Sequence, residues 1–193
     1  MSITRQLIKQ SVKSIDPFDD IESTHKLDVL NWIDSGVPIL RISKPDNPPK
    51  HLVSYFVLLD MTNKSILLID HIKAKSWLPT GGHVEINEDP IDAVIREAKE
   101  ELQINASFDT PFGKNPLFIT VTKTKNDNVH TDVSLWYVIS GSSKDVYKFD
   151  TKEMNGYKWF SFNDILAMDT NLLDPHMHRF VNKLMLALRS LDA

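Results

Sequence analysis

Glu97, Glu100 and Glu101 stand at i, i+3 and i+4 in a segment whose apolar residues recur at helical spacing. On a helix their carboxylates project from one face. Like charges so placed cost about 0.2 to 0.5 kcal/mol per pair. A cation among them reverses that sign, and hard divalent ions such as Mg2+ prefer carboxylate oxygen. A solvated acidic face on an ordinary amphipathic helix would carry the same run, so the surrounding residues must decide. Upstream lie Gly82, five residues, Glu88, seven residues, then Arg96 directly before Glu97, with a Leu-Pro-x-Gly-Gly lead-in over Leu78 to Gly82.

The element that positions the glutamates is a helix starting near Pro90. Asp89 suits the N-cap, and Pro90 suits the first helical position, where its missing N–H costs nothing. Ile91, Val94, Ile95, Ala98 and Leu102 form the apolar stripe. The glutamate set is centred about 130° from that stripe. The carboxylates are therefore expected to face away from the core, with Glu101 nearest its border.

This array resembles the signature of the Nudix hydrolases, matching at Gly82, Glu88, Arg96, Glu97, Glu100 and Glu101. The resemblance implies an α/β (α+β) fold, an α/β/α sandwich with a mixed β-sheet over roughly residues 50 to 170. It implies Mg2+ or Mn2+ held by Glu97, Glu100, Glu101 and the Gly82 backbone carbonyl. Glu88 and Arg96 are expected to form a structural ion pair that holds the turn against its helix. Glu153, six residues before Trp159, stands where the family often places a further metal ligand or the base. The candidates for the base are thus Glu100, Glu101 and Glu153. One departure is Gln103, where the family has a glycine after the helix. A glutamine there either takes the left-handed conformation, at about 1 to 2 kcal/mol, or lets the helix run on.

The activity so implied is pyrophosphohydrolysis, the cleavage of a diphosphate linkage by metal-activated water. Its substrates would be nucleotide sugars, ADP-ribose, dinucleotide cofactors or nucleoside triphosphates. Two readings outside catalysis stand beside it. One is a Nudix-like binding module that senses a nucleotide metabolite without cleaving it. The other is an interaction protein whose function lies in its N-terminal helices.

With 193 residues, 41% of them hydrophobic and 25% charged, the chain suits one compact domain plus an appendage. No apolar run approaches the roughly 18 residues that span a bilayer. The start MSITRQLIKQ lacks the apolar segment of a signal peptide, so the expected compartment is the cytoplasm. No cysteine is present, which removes disulfides, thiolate nucleophiles and cysteine zinc sites. It also argues against an isopentenyl diphosphate isomerase, a Nudix relative that uses a cysteine. A net charge of −4 without a dense Lys/Arg stripe argues against a long nucleic-acid partner. A small phosphorylated ligand stays compatible, since bound divalent ions supply local positive charge.

Residues 1–49 read as a helical extension and 50–193 as the catalytic domain with a C-terminal helix. Ile3, Leu7, Ile8 and Val12 mark one amphipathic helix, and Leu27, Val29, Leu30 and Trp32 a second. Pro38, Pro45, Pro48 and Pro49 punctuate the exit. The extension is expected to pack or to make a homodimer contact, with substrate selection as the sharper role. Strands are predicted over Leu52 to Leu59, Ser65 to Ile72, Leu117 to Thr124, Thr131 to Ser140 and Tyr157 to Phe160. Helices follow over Phe162 to Met168 and Pro175 to Leu191, the latter capped by Asp174.

His130, Asp132, Ser134 and Trp136 alternate along one strand and share a face. Either a substrate cleft explains this polar set, with Trp136 or Trp77 stacking a base, or it is the solvent face of a half-buried strand. His83, His51 and His71 fall near the predicted mouth. They read as surface or supporting residues rather than magnesium ligands, since imidazole suits zinc better. His176 and His178, two apart on a helix, do not face one another.

Overall fold

The structure, a computed structural model, describes residues 3–43, 47–124 and 129–191. Pro45 lies outside the described residues. The order of elements is α1 (Ile3–Ser14), α2 (Asp20–Asp34), β1 (Lys50–Asp60), β2 (Ser65–His71), β3 (Ser76–Leu78), β4 (Thr80–His83) and α3 (Pro90–Glu101). Then come β5 (Phe118–Lys123), β6 (Thr131–Ser140), β7 (Met154–Ser161), α4 (Phe162–Ala167), a 3-10 turn at Thr170–Leu172 and α5 (Met177–Arg189). Strands run in the order β3-β2-β1-β6-β5, with β4 paired to β1 and β7 to β2. The fold is α+β, built on a mixed sheet with helices. No helix among the described residues is long and apolar enough to cross a membrane.

Backbone proximity divides the chain into two compact units. The first comprises residues 1–55, 81–95 and 114–137 and the second residues 56–80, 96–113 and 138–193. The N-terminal helices fall in the first unit together with β5, on which α2 packs.

In the first unit, α2 lies on β5. Its buried face is Glu22, Val29 and Ile33, while Leu27 of the predicted apolar set is exposed. Glu22 is fully buried because its carboxylate has work on both oxygens. Oε2 accepts the Phe18 N–H at 2.7 Å, and Oε1 accepts the Ile119 N–H of β5 at 3.2 Å. His25 Nδ1 accepts the Val121 N–H at 3.3 Å. The extension thus occupies donors of a strand that ends the sheet, the kind of edge that otherwise invites foreign pairing. Gly81 in β4 has φ +138°, and a Cβ there would sit 2.2 Å from the Ser54 carbonyl oxygen. Only glycine lets β4 approach β1 so closely.

In the second unit β2 is flanked by β1, β3 and β7, all antiparallel. Ile66, Leu67, Leu68 and Ile69 are buried on both faces of β2, as a covered strand requires. Met177, Phe180, Val181 and Leu184 of α5 are buried, and α5 packs on α4. Ser161 and Asp164 form a reciprocal cap at the start of α4. At the β1–β2 turn the Asp60 carboxylate accepts the Asn63 N–H at 2.9 Å and the Ser143 N–H at 2.8 Å.

β3 and β4 are too short, and β4 too rich in Thr and Gly, for a period of two to mark them in the sequence. α5 begins at Met177, not Pro175. Its N-cap His176 makes no side-chain cap bond, while Asp174 instead turns the approach by accepting the His176 N–H at 2.8 Å.

Candidate active site

The turn from β4 into α3 is built by its own polar side chains. Glu88 Oε2 accepts the Glu85 N–H at 2.9 Å, and Asp89 Oδ1 accepts the Ile91 N–H at 2.9 Å. Ser54 Oγ donates to the Pro90 carbonyl at 2.9 Å, anchoring the start of the helix. Gly82 lies within β4, in the first unit, and α3 passes from the first unit into the second at Arg96.

The buried face of α3 is Pro90, Ala93, Val94, Ala98 and Leu102, whereas Ile95 is exposed and Ile91 half-buried. The core contact is therefore rotated from the predicted stripe toward the glutamates, because two alanines allow close packing where the isoleucines were expected. Only Glu100 faces solvent, its side chain 60% exposed. The Glu97 side chain is 14% exposed and Glu101 is 6% exposed. The expectation that all three carboxylates face away from the core is thus corrected for Glu97 and Glu101.

Burial pushes the Glu97 carboxyl up from its ordinary range. Arg96 opposes this, its Nη1 donating to Glu97 Oε1 at 2.6 Å, while the like charges of Glu100 and Glu153 reinforce it. Arg96 also reaches Glu100 Oε2 at 3.3 Å. Of the expected Glu88–Arg96 pair, Glu88 is engaged at the turn and Arg96 along the helix.

Glu153 is exposed on the loop before β7, and its backbone is fixed to the same region. The Asp150 N–H donates to the Glu101 carbonyl at 3.1 Å, the Glu153 N–H to Asp150 at 3.2 Å, and the Ile72 N–H to the Glu153 carbonyl at 2.9 Å. These bonds explain how a loop acid distant in sequence acts electrostatically on Glu97. His71 is held below its ordinary value by burial, with Glu153 pulling the other way.

α3 ends as the glycine-free sequence allows. Gln103 takes φ +54°, and the Ile104 N–H turns back to the Ala98 carbonyl at 3.2 Å. Of the two conformations open to Gln103, the left-handed one is adopted.

Trp77 lines an open cleft of about 520 Å³ with Lys158, Phe160, Asp164 and Met168. It meets Phe160 edge-to-face at 5.0 Å, and Lys158 Nζ lies 4.8 Å from the Phe160 ring centre. Trp136 is different, and its role as a stacking platform is corrected. It is fully buried, its indole N–H donates to Thr120 Oγ1 at 3.0 Å, and Phe118 and Tyr55 meet it edge-on. Ser134 is buried as well, so this part of β6 is neither a solvent face nor a cleft wall.

His83, His130 and Asp132 do come together, joined by His51. His51 is fully buried, so of its two readings, surface or supporting residue, the surface one does not hold. Alternation along β6 placed His130 and Asp132 on one face, but His51 and His83 reach them only through strand pairing. His178 Nε2 donates to the Ile165 carbonyl at 2.8 Å and His176 Nδ1 meets Arg179 at 2.9 Å, so each has a local structural contact.

A family model described as the NUDIX domain matches residues 49–183. The "Probable DHNTP pyrophosphohydrolase" of Lactococcus lactis subsp. cremoris (strain MG1363) is 33% identical over 78 residues, 38% of this chain and 45% of that protein. The chain therefore spans less than half the length of that curated relative. Among solved structures, a hydrolase of the NUDIX family from Clostridium perfringens aligns with a TM-score of 0.55 and 24% identity, over 71% of this chain and 97% of the other. The NUDIX domain of Shewanella oneidensis NrtR complexed with ADP ribose aligns with a TM-score of 0.55 and 16% identity, over 71% of this chain and 87% of the other. At these identities the two likenesses are of fold.

Proposed function

The chain belongs to the NUDIX domain family, and we propose that it is a divalent-metal-dependent pyrophosphohydrolase acting on a small nucleotide-type substrate. One observation carries this reading: Arg96 Nη1 reaches both Glu97 Oε1 at 2.6 Å and Glu100 Oε2 at 3.3 Å, so two carboxylates converge on one cation, and the half-buried Glu97 is pushed up by burial with Arg96 in opposition. Crowded carboxylate oxygens of this kind suit a hard divalent cation better than they suit one another. In the proposal Glu97, Glu100 and Glu101, all in the second unit, hold the ion. When bound, Mg2+ or Mn2+ supplies neutralising charge at phosphate oxygens and a lowered pKa for a coordinated water.

The protein's own groups complete the chemistry. Glu153, exposed and on a loop tied to α3, is the proposed base, with Glu100 and Glu101 as the other candidates. It takes a proton from water as the water oxygen bonds to phosphorus and the linkage to the departing phosphate breaks. Arg96 holds Glu97 and Glu100 in register. Trp77, with Phe160 and Lys158 beside it, offers a flat apolar surface and one cation for a base or similar ring.

The proposed substrates are nucleoside diphosphates linked to another group and nucleoside triphosphates. The name of the Lactococcus relative adds dihydroneopterin triphosphate to that set. The test is phosphate release from nucleotide sugars, ADP-ribose, NADH, dinucleoside polyphosphates, nucleoside triphosphates and dihydroneopterin triphosphate, with Mg2+ or Mn2+ and coupled phosphatase or pyrophosphatase. Turnover of one class that Glu101→Gln loses supports the proposal. Tight binding with no metal-dependent release from any of them would replace it with a metabolite sensor.

A further inference from the structure

The first unit holds three imidazoles and a carboxylate that the proposed hydrolysis does not use. His51 of β1, His83 of β4, His130 just before β6 and Asp132 within it each offer one ligand atom, all within 4.8 Å of one another. We propose that these four side chains form a site for one divalent transition-metal ion of the Zn2+ class, chemically distinct from the all-oxygen glutamate set.

The distances support this. Asp132 Oδ1 lies 3.4 Å from His51 Nε2 and 3.2 Å from His130 Nε2. Around a tetrahedral zinc ion with bonds of about 2.0 to 2.2 Å, ligand atoms stand about 3.3 to 3.6 Å apart. The ring centres of His51 and His83 are 4.7 Å apart and those of His51 and His130 are 5.1 Å apart.

The partners of the far ring nitrogens also bear on it. His51 Nδ1 is 2.9 Å from the Pro48 carbonyl, which can only accept, so Nδ1 carries a proton. In the neutral ring Nε2 then presents a lone pair toward Asp132. Thr124 Oγ1 donates to the His130 carbonyl at 3.3 Å and accepts the His130 N–H at 3.0 Å. Thr124 Oγ1 also lies 3.2 Å from His130 Nδ1, and in the tautomer in which it accepts from that nitrogen an Nε2 lone pair again faces Asp132. A carbonyl or hydroxyl holding the far ring nitrogen is how metal-binding imidazoles are commonly oriented. Two imidazole nitrogens and a carboxylate oxygen at this spacing attract one another when a proton or a metal cation lies among them. Imidazole with carboxylate selects a transition ion over magnesium. Arg41 Nη1 lies 3.4 Å from His83 Nε2. An ion on that nitrogen would displace this contact, which makes His83 the weakest of the four ligands.

The test uses the full chain, stripped with chelator, returned to excess Mg2+ and titrated with Zn2+ by calorimetry, with Co2+ as a spectroscopic probe. One saturable site per chain is expected, with the visible absorption of four-coordinate Co2+ and a Zn2+-dependent rise in melting temperature. His130→Asn and Asp132→Asn should each weaken Zn2+ binding by roughly 100-fold or more. His83→Asn should weaken it less, and Glu97→Gln should leave it intact. Circular dichroism checks that each variant folds, and the two principal variants lie on different ligands should one fail. The absence of a saturable site, or a site lost in Glu97→Gln and kept in both principal variants, would overturn the inference. Neither result bears on hydrolysis, which is read separately through the phosphate-release panel.

Discussion

Glu97 bears the electrostatic cost of the glutamate group. Its carboxyl is raised by burial, so between the ordinary glutamate range and its raised value the folded chain binds more protons than the unfolded one. Stability must therefore fall as pH rises through that window, and a divalent cation should remove the penalty. In chelator, Glu97→Gln is expected to flatten this part of the melting-temperature profile relative to the parent. In Mg2+ the parent should gain stability and the variant should gain little. A cation-dependent rise of equal size in both would count against Glu97 as a ligand. Glu153 makes a different prediction. As the base, Glu153→Gln should lower kcat by about 10²- to 10⁴-fold while KM and the metal dependence hold. A shift in Mg2+ requirement instead would make it a ligand.

Individual elements carry their own tests. The end of α3 keeps Gln103 in the left-handed region, where a Cβ is costly. Gln103→Gly should raise stability by about 1 kcal/mol, measured by denaturant midpoint at constant slope. A loss would mean that the glutamine side chain has a role of its own. At the β1–β2 turn, burial alone would raise the Asp60 carboxyl. The Ser143 and Asn63 donors outweigh it and hold Asp60 well below the usual carboxylate range. A depressed folded value means stability that is present above the unfolded pKa and is lost as pH falls toward the folded one. Asp60→Asn should therefore cost about 1 to 3 kcal/mol at neutral pH. The gap from the parent should narrow below about pH 4. A gap constant with pH would show that shape rather than charge matters at this turn.

For the molecule as a whole, α1 and α2 are tied into the first unit through Glu22 and His25 on β5. Deleting residues 1–36 is expected to lower the melting temperature and to cause self-association on a sizing column, since the Ile119 and Val121 N–H groups lose their acceptors. A truncated chain that stays monomeric with an unchanged midpoint would return the extension to the status of an appendage. The contrast shows where sequence is sufficient. Spacing along a single segment is local, so the glutamate array, the Asp89–Pro90 helix start, the long strands and the left-handed option at Gln103 were all legible residue by residue. Composition likewise announced a chain without cysteine chemistry. What the chain does with faces was decided by tertiary packing. Ala93 and Ala98 drew α3 inward, half-burying Glu97 and burying Glu101, and a strand covered on both sides turned Trp136 into core. Partners far apart in sequence also met only through pairing and loop anchoring. His51, His83 and Asp132 come from three strands, and Glu153 reaches α3 through backbone bonds at Asp150. Periodicity records which residues share a face of one element, whereas burial and encounter depend on what that face packs against.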